Sequence, residues 1–369
     1  MSGPDSTPPS LDPAEVADFH NTLKRSKRII AILGAGISAS SGLATFRGTN
    51  GLWKAQDVMQ VATPAGFRHD PGLVWQFYTF RRHEALKAKP NAAHYALAEL
   101  ARQVPGFVTL TQNVDNLSPR AGHPEGQLKQ LHGNLFHLRC VDEVGCGYVE
   151  EGNLKDPLTP ALGTAKGEAS VLGHIDRDNK PKASPLLLAG LARKNARILG
   201  DKYKEDGPSA VDLTPLKVTS TAGSEQESGV RPAPMSDIRL SSGLAKDDLP
   251  QCPKCTANIL RPSVVWFGEA LAENTAVEAD ALFKEDTDPI DLCLVIGTSS
   301  KVWPAAGFAE RARKKGARIA TINIDAADAK NMRPGKDWVF VGDATVVVPE
   351  LLKPITSDSK LWKEKAASA

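Results

Sequence analysis

The chain has 369 residues, 41 % of them hydrophobic and 24 % charged, and a formal net charge of +2. That length suffices for a large core and one or two domains, and the near-neutral balance gives no electrostatic pull toward nucleic acid or an anionic membrane. No apolar stretch approaches the roughly 20 residues that a bilayer-crossing helix needs. Met1–Pro13 is rich in Ser and Pro, with two acids and no Lys or Arg. It has the character of neither a signal peptide nor a transit peptide, which predicts a cytoplasmic or nuclear location. Five cysteines are too few for a secreted disulfide scaffold, and their pairing suggests metal.

Residues 1–11 read as disordered. Asp12-Pro13-Ala14-Glu15 predicts a helix start, with an acidic cap and a proline in the first turn, and Val16, Phe19 and Leu23 share one face of that helix. Ile29–Leu33 predicts a buried strand that feeds a glycine loop. Asn91 caps a helix carrying Leu97 and Leu100, and Phe107–Thr111 is the next strand. Residues 151 to about 250 are rich in Gly, Pro, Ser, Lys and Asp. Within them Ser184–Ile198 has the cap and apolar surface of a helix, and Asp206–Asp237 reads as a low-complexity linker. Farther on, Asp291–Ile296 is a strand, Pro304–Lys315 a helix and Arg318–Ile324 a strand ending in Asp325. Trp338–Val341 and Thr345–Val348 are further short apolar runs. Continuous apolar strands alternating with helices predict an α/β fold built on a parallel sheet covered on both faces. Its polar and glycine motifs lie at the carboxyl ends of strands, where such sheets bind ligands.

Gly34-Ala35-Gly36-Ile37-Ser38-Ala39 fits G-x-G-x-x-G/A after a strand, a pattern that lets backbone approach a pyrophosphate at a helix N-terminus. Alone it is equally a tight strand-to-helix turn. A dehydrogenase places an acid after its second strand, yet the acid ending a strand here is Asp325, far along the chain, which argues for a variant nucleotide fold.

Further strings extend the pattern. Gly34–Gly42, Thr45-Phe46-Arg47-Gly48, Thr111–Leu117, Leu131-His132-Gly133-Asn134, Val265-Trp266-Phe267-Gly268-Glu269, Gly297-Thr298-Ser299 and Asn323-Ile324-Asp325 occur in that order. This set resembles the sirtuins, NAD-dependent protein lysine deacylases, over about residues 14–150 and 250–352. The resemblance implies a Rossmann-like parallel sheet with helices on both faces, plus a small zinc-ribbon domain carrying a long insert. Residues 12–135 and 256–352 would form the discontinuous NAD-binding domain, 136–255 the zinc-binding domain with insert 151–250, and 353–369 a C-terminal tail.

By the same resemblance, Gly34, Ala35, Gly36, Ser38 and Arg47 belong to the phosphate-binding side of the NAD site, and Phe46 closes over the reacting centre. Asn113 and Asp115 hold the nicotinamide amide, and Gln112 contacts the nearby ribose. Gly297, Thr298, Ser299, Asn323 and Asp325 hold the adenosine side, with Ala344 near the adenine. Val265, Trp266, Phe267, Gly268 and Glu269 pair with the substrate backbone as an added strand. The implied chemistry expels nicotinamide, captures the ribose carbon with the acyl oxygen to form an alkylimidate, and then needs a base to activate a ribose hydroxyl. His132 suits that base, since imidazole accepts a proton near neutral pH. The products would be deacylated lysine, nicotinamide and O-acyl-ADP-ribose.

Cys252-Pro253-Lys254-Cys255 is a C-x2-C knuckle, and Cys140 with Cys146 forms a looser C-x5-C. Four thiolates without histidine suit one closed structural zinc site, and the resemblance implies the same. The pairs are 105 residues apart, which is tolerable because loop-closure cost grows only logarithmically. Unligated thiols are the other reading. Cys293 lies in an apolar strand and reads as a buried core thiol.

Tyr78 and Arg81 are three apart in a helical stretch and so share a face. A phenol and a guanidinium together can grip a carboxylate. The pair resembles the acyl pocket of the desuccinylase and demalonylase branch of sirtuins, whose members are often mitochondrial. The expected activity is removal of succinyl, malonyl or glutaryl groups from protein lysine by a monomer that binds neither nucleic acid nor membrane. A plain deacetylase, an ADP-ribosyltransferase and a non-enzymatic NAD-sensing module stay open as alternatives.

Overall fold

The computed structural model describes residues 11–45, 61–163, 244–300, 302, 304–329 and 331–357. The expected helix at 184–198, the low-complexity segment 206–237, and Phe46 and Arg47 lie outside the described residues. The predicted elements that fall inside form in place. Helix α1 (Pro13–Arg25) starts where Asp12 accepts a hydrogen bond from the Ala14 amide. Strand β1 (Ile29–Leu33) is buried at every residue, and β2 (Phe107–Thr111) follows helices α2 (Pro64–His69), α3 (Pro71–Lys87) and α4 (Ala92–Gln103). The Asn91 side chain caps α4 through the amides of Ala93 and His94.

Short helix α5 (Leu117–Arg120) leads to β3 (Leu128–Gln130), β4 (Gly133–Cys140) and β5 (Val149–Glu150). Strand β6 (Leu260–Val264), α6 (Glu273–Ala281), β7 (Leu292–Ile296), α7 (Ala305–Lys314), β8 (Arg318–Asn323), β9 (Trp338–Val341) and α8 (Ala344–Thr356) complete the order. Of the two C-terminal apolar runs, Trp338–Val341 is a strand but Thr345–Val348 opens α8. Valines favour strands locally. Here Asp343 caps the helix at the Thr345 amide, and Val347 and Val348 are buried where α8 packs on α4.

Six strands form one parallel sheet in the order β3-β2-β1-β7-β8-β9. The continuous apolar runs have a direct cause. On β1, Ile29, Ala31 and Leu33 pack with α1, α4 and α8, while Ile30 and Ile32 pack with α6 and α7 on the opposite face. Cys293 sits inside β7 with no exposed surface, as expected of a core thiol. A smaller antiparallel sheet, β5-β4-β6, takes in Gly133–Cys140 and Leu260–Val264, so it reaches beyond both ends of the 136–255 segment.

The chain runs β1 to β3 along one half of the large sheet and β7 to β9 along the other, so the topological switch lies between β1 and β7. Their loops meet backbone to backbone. The Gly36 amide donates to the Gly297 carbonyl at 2.8 Å, and the Gly34 amide to that of Ile296 at 2.9 Å. A Cβ on Gly34 would stand 2.6 Å from the Gly297 oxygen, and one on Gly36 2.7 Å from the Gly297 Cα. Gly297 has φ +61°, and a Cβ there would meet the Ile37 nitrogen at 2.4 Å.

Gly297→Ala is therefore expected to lower stability by about 2 kcal/mol or more, through left-handed strain plus the clash. Urea unfolding measures this, and an unshifted midpoint would contradict the interlock. Buried His123 gives a second expectation. Its Nδ1 lies 3.1 Å from the Pro124 carbonyl and its Nε2 2.9 Å from the Thr109 hydroxyl. Burial pulls its pKa down to about 4, so the folded protein holds it neutral while the unfolded chain protonates it below about 6.5. The stability it contributes is complete above pH 6.5 and is lost as pH falls toward 4, at up to about 1.4 kcal/mol per pH unit. A His123→Gln variant should show a shallower acid slope in urea melts; the same slope in both proteins would remove His123 as its source.

Candidate active site and cysteine cluster

His132 stands where the chain leaves the large sheet for the small one. Gly133, at φ +76°, makes that turn, and a Cβ there would lie 2.2 Å from the Ser263 carbonyl oxygen. The His132 carbonyl accepts the Val265 amide at 2.9 Å, and its Nδ1 is 3.1 Å from the Gln112 carbonyl. A carbonyl only accepts, so Nδ1 carries the proton and the Nε2 lone pair is left to act as a base. Burial lowers the His132 pKa below 6.5, with the Gln112 bond as a partial offset, so the ring is neutral at pH 7.

A neighbouring cavity is lined by Ala35, Ser38, Arg81, Glu84, Asn113 and Asp115 among others. Its polar groups are cross-linked. Ser38 Oγ donates to Asp115 Oδ2 at 2.7 Å, and Asn113 Nδ2 donates to the Gly34 carbonyl at 3.0 Å and approaches Ser38 Oγ at 3.3 Å. The other Asp115 oxygen accepts the Leu117 amide at 2.9 Å. Behind Ser38 lies buried His94, its Nε2 3.5 Å from the hydroxyl oxygen. The Ser38 proton is committed to Asp115, and His94 Nδ1 lies 3.0 Å from Asn91 Oδ1 and 3.3 Å from the Asn91 amide nitrogen. Burial pulls His94 down to about 4, against the opposing charge of Asp115, which keeps this arrangement neutral. Sequence reasoning missed His94 and Glu84. The signal for His94 was its place three residues after the helix cap Asn91, where a side chain turns back toward the glycine loop.

The residues expected on the nucleotide side gather along the carboxyl edge of the sheet. Gln112 Nε2 donates to Thr298 Oγ1 at 3.2 Å, and Asn323 Nδ2 donates to the Thr298 carbonyl at 3.3 Å and to Asp328 at 3.0 Å. Ser299 follows in the same loop, Asp325 is exposed at the end of β8, and Ala344 opens α8. Ser40 Oγ, from the glycine loop, donates to the cap residue Asp343 at 2.5 Å. A side-chain amide and a carboxylate beside glycines that bring backbone close fit a dinucleotide bearing a carboxamide ring.

Tyr78 and Arg81 both lie on α3. Arg81 lines the cavity with Asn113 and Asp115. Tyr78 is buried beside it, its hydroxyl accepting the Trp266 indole N–H at 2.9 Å. Burial pushes the Tyr78 pKa up to about 12, against the nearby Arg81 charge, so it stays a donor. Arg82, one residue on, leaves the helix in another direction. Its guanidinium donates to the carbonyls of Leu135, Asn153 and Lys155 at 2.6–2.9 Å and ties α3 to the small sheet. In the segment 265–269, the Val265 and Phe267 amides donate to His132 and Ala62 carbonyls at 2.9 Å. The Trp266 amide donates to Glu269 Oε2 at 2.8 Å and the Glu269 amide to the Trp266 carbonyl at 3.0 Å.

Cys140, Cys146, Cys252 and Cys255 converge, with all four sulfurs within 4.8 Å of one another. The Cys146–Cys252 sulfur pair is 3.6 Å apart and the Cys140–Cys255 pair 3.8 Å. The backbone amides of Ala257 and Asn258 pull Cys255 down to about 6, whereas burial pushes Cys140 up to about 12 and raises Cys146. Four sulfurs at this spacing fit one tetrahedral Zn2+, which would cross-link β4 to the knuckle before β6. Purified protein is expected to carry one zinc per chain by elemental analysis. Its removal by chelator under denaturing conditions should lower the melting temperature on refolding; a chain that holds no zinc and keeps its melting temperature would contradict the site.

A family model described as the Sir2 family matches residues 34–161 and 230–304. The chain is 42 % identical over 349 residues to an NAD-dependent protein deacylase of Candida albicans, covering 93 % of this chain and 99 % of that one. It is 33 % identical to the mitochondrial NAD-dependent protein deacylase sirtuin-5 of Canis lupus familiaris, over 96 % of this chain and 92 % of the relative. A solved Sir2 homolog–NAD complex matches with TM-score 0.58 at 27 % identity, covering 92 % of this chain and 94 % of that chain. With relatives this similar along nearly the whole chain, and with the glycine loop and His132 set at the edge of the same sheet, the protein belongs to the Sir2 family.

Proposed function

We propose that this chain is an NAD-dependent protein-lysine deacylase that prefers acyl groups ending in a carboxylate: succinyl, malonyl or glutaryl. Deacylation is supported by the names of its relatives and by a neutral His132 with its Nε2 lone pair available. The acyl preference rests on one observation. Arg81 turns into the cavity beside Asn113, and the Tyr78 phenol stands next to it on the same helix. An apolar acyl pocket would gain nothing from a desolvated guanidinium, whereas an acyl carboxylate would pair with it.

When bound, NAD supplies the electrophilic ribose carbon and the nicotinamide leaving group. Asn113 and Asp115 orient the carboxamide, Ser38 and His94 hold Asp115 in place, and the glycine loop accommodates the phosphates. His132, anchored through Nδ1, takes a proton at Nε2. Gln112, Thr298, Ser299, Asn323 and Asp325 serve the ribose and adenosine side. For the compartment, the mitochondrial name of the sirtuin-5 relative favours the mitochondrion.

Nicotinamide release from NAD, measured with acetyl-, succinyl-, malonyl- and glutaryl-lysine peptides, tests the reading. Succinyl peptides should be turned over at a higher kcat/KM than acetyl peptides. Arg81→Met should lower succinyl kcat/KM by about 100-fold, the loss of a charge-assisted pair, and acetyl kcat/KM far less. Equal losses would refute the acidic pocket. His132→Ala should abolish turnover of every peptide with the fold intact by circular dichroism. The acid limb of the wild-type kcat/KM profile should bend below pH 6.5, since His132 must be unprotonated; a bend above it would count against His132 as the base.

A further inference from the structure

The hydroxyl of buried Tyr78 is engaged by a neighbour from another segment. Its oxygen accepts the Trp266 indole N–H at 2.9 Å, so the phenol's own proton is directed away from Trp266 and toward another acceptor. Trp266 is itself fixed on three sides, by its own segment, by β6 and by α2. Glu269 Oε2 takes its backbone amide at 2.8 Å, the Arg261 guanidinium lies 3.5 Å from its ring centroid, and the Phe67 ring is 5.1 Å away. Arg261 and Glu269 close the unit as a bidentate pair at 2.6 and 2.9 Å, with Arg261 only 5 % exposed. A planar fork pairing with a carboxylate in this way is a rigid support.

The support extends to the cysteine cluster. Glu143, in the loop between Cys140 and Cys146, lies 3.3 Å from Arg139 and 3.5 Å from Arg261, and Arg139 lies 3.7 Å from Glu269. Four charges thus alternate in sign between the metal-type knuckle and the indole that orients Tyr78.

We propose that Trp266, braced by the Arg261–Glu269 pair, is a positioning residue that sets acyl preference by presenting the Tyr78 hydroxyl as a donor to an acidic acyl group. This rests on the acidic-acyl reading above. Trp266→Phe keeps a ring against Phe67 and Arg261 but removes the donor. The quantity read is the ratio of succinyl to acetyl kcat/KM. It is expected to fall about tenfold in Trp266→Phe, mainly through the succinyl KM, as for the loss of one oriented hydrogen bond. In a Tyr78→Phe background the same change should leave the ratio where Tyr78→Phe alone puts it, because nothing remains to orient.

Glu269→Gln keeps an acceptor for the Trp266 amide but loses the charge facing Arg261. It should lower the ratio about threefold and gives the test a second route should Trp266→Phe not fold. A ratio unchanged in the variants, or effects that add fully in the double variant, would overturn the proposal while the wild-type preference stands. A wild-type protein with no succinyl preference would instead overturn the acidic-acyl reading, and this proposal with it.

Discussion

Everything at the carboxyl edge of the large sheet depends on the contact between two glycine loops. The loops after β1 and β7 touch at Gly34, Gly36 and Gly297, so closely that a Cβ added at any of the three would collide. A glycine pattern usually read as room for phosphate is thus, first, room for another loop. The same backbone proximity makes the edge a concave site, because Ser38, Gln112, Asn113 and Thr298 are carried on short segments anchored at that contact. On the proposed function, cofactor recognition and fold stability draw on the same atoms.

Around that contact the polar groups are organised in sequence. Asp115 is not held by charge alone; the Ser38 hydroxyl and the Leu117 amide occupy its two oxygens, and His94 backs the hydroxyl. Asp115 and Ser38 are each satisfied by neighbours, which is the condition for burying polar atoms. His94 and His123 are kept neutral by burial, whereas His132 keeps one nitrogen tied to Gln112 and the other available. Three histidines of similar intrinsic basicity therefore take different parts because of what surrounds each ring.

The second half of the site comes from α3 and the small sheet. Arg81 and Arg82 are neighbours in sequence, yet the helical twist sends one into the cavity and the other to the carbonyls of Leu135, Asn153 and Lys155. The buried clamp at Arg82 fixes the helix that presents Arg81. The alternating charges of Arg139, Glu143, Arg261 and Glu269 carry that rigidity from the cysteine cluster to Trp266 and Tyr78.

Local pattern was enough to read the sheet strands β1, β2 and β7–β9 and the caps of α1 and α4, because strands covered on both faces must be apolar throughout and caps need specific side chains. The ordered motifs likewise singled out His132, Asn113 and Asp115 as candidates, and the paired spacing pointed to the four cysteines whose sulfurs converge. The run Thr345–Val348 shows where local reading fails: its valines suit a strand, and only the Asp343 cap and the packing on α4 make it a helix. Sequence also could not reveal the roles of His94, Arg82 or the Trp266 indole, since each depends on a partner from a distant segment. Composition and period determine which residues are buried and in what element. Which buried polar groups meet, and so which proton is free, was decided by tertiary contact alone, because a hydrogen bond is fixed by distance and direction that no spacing along the chain contains.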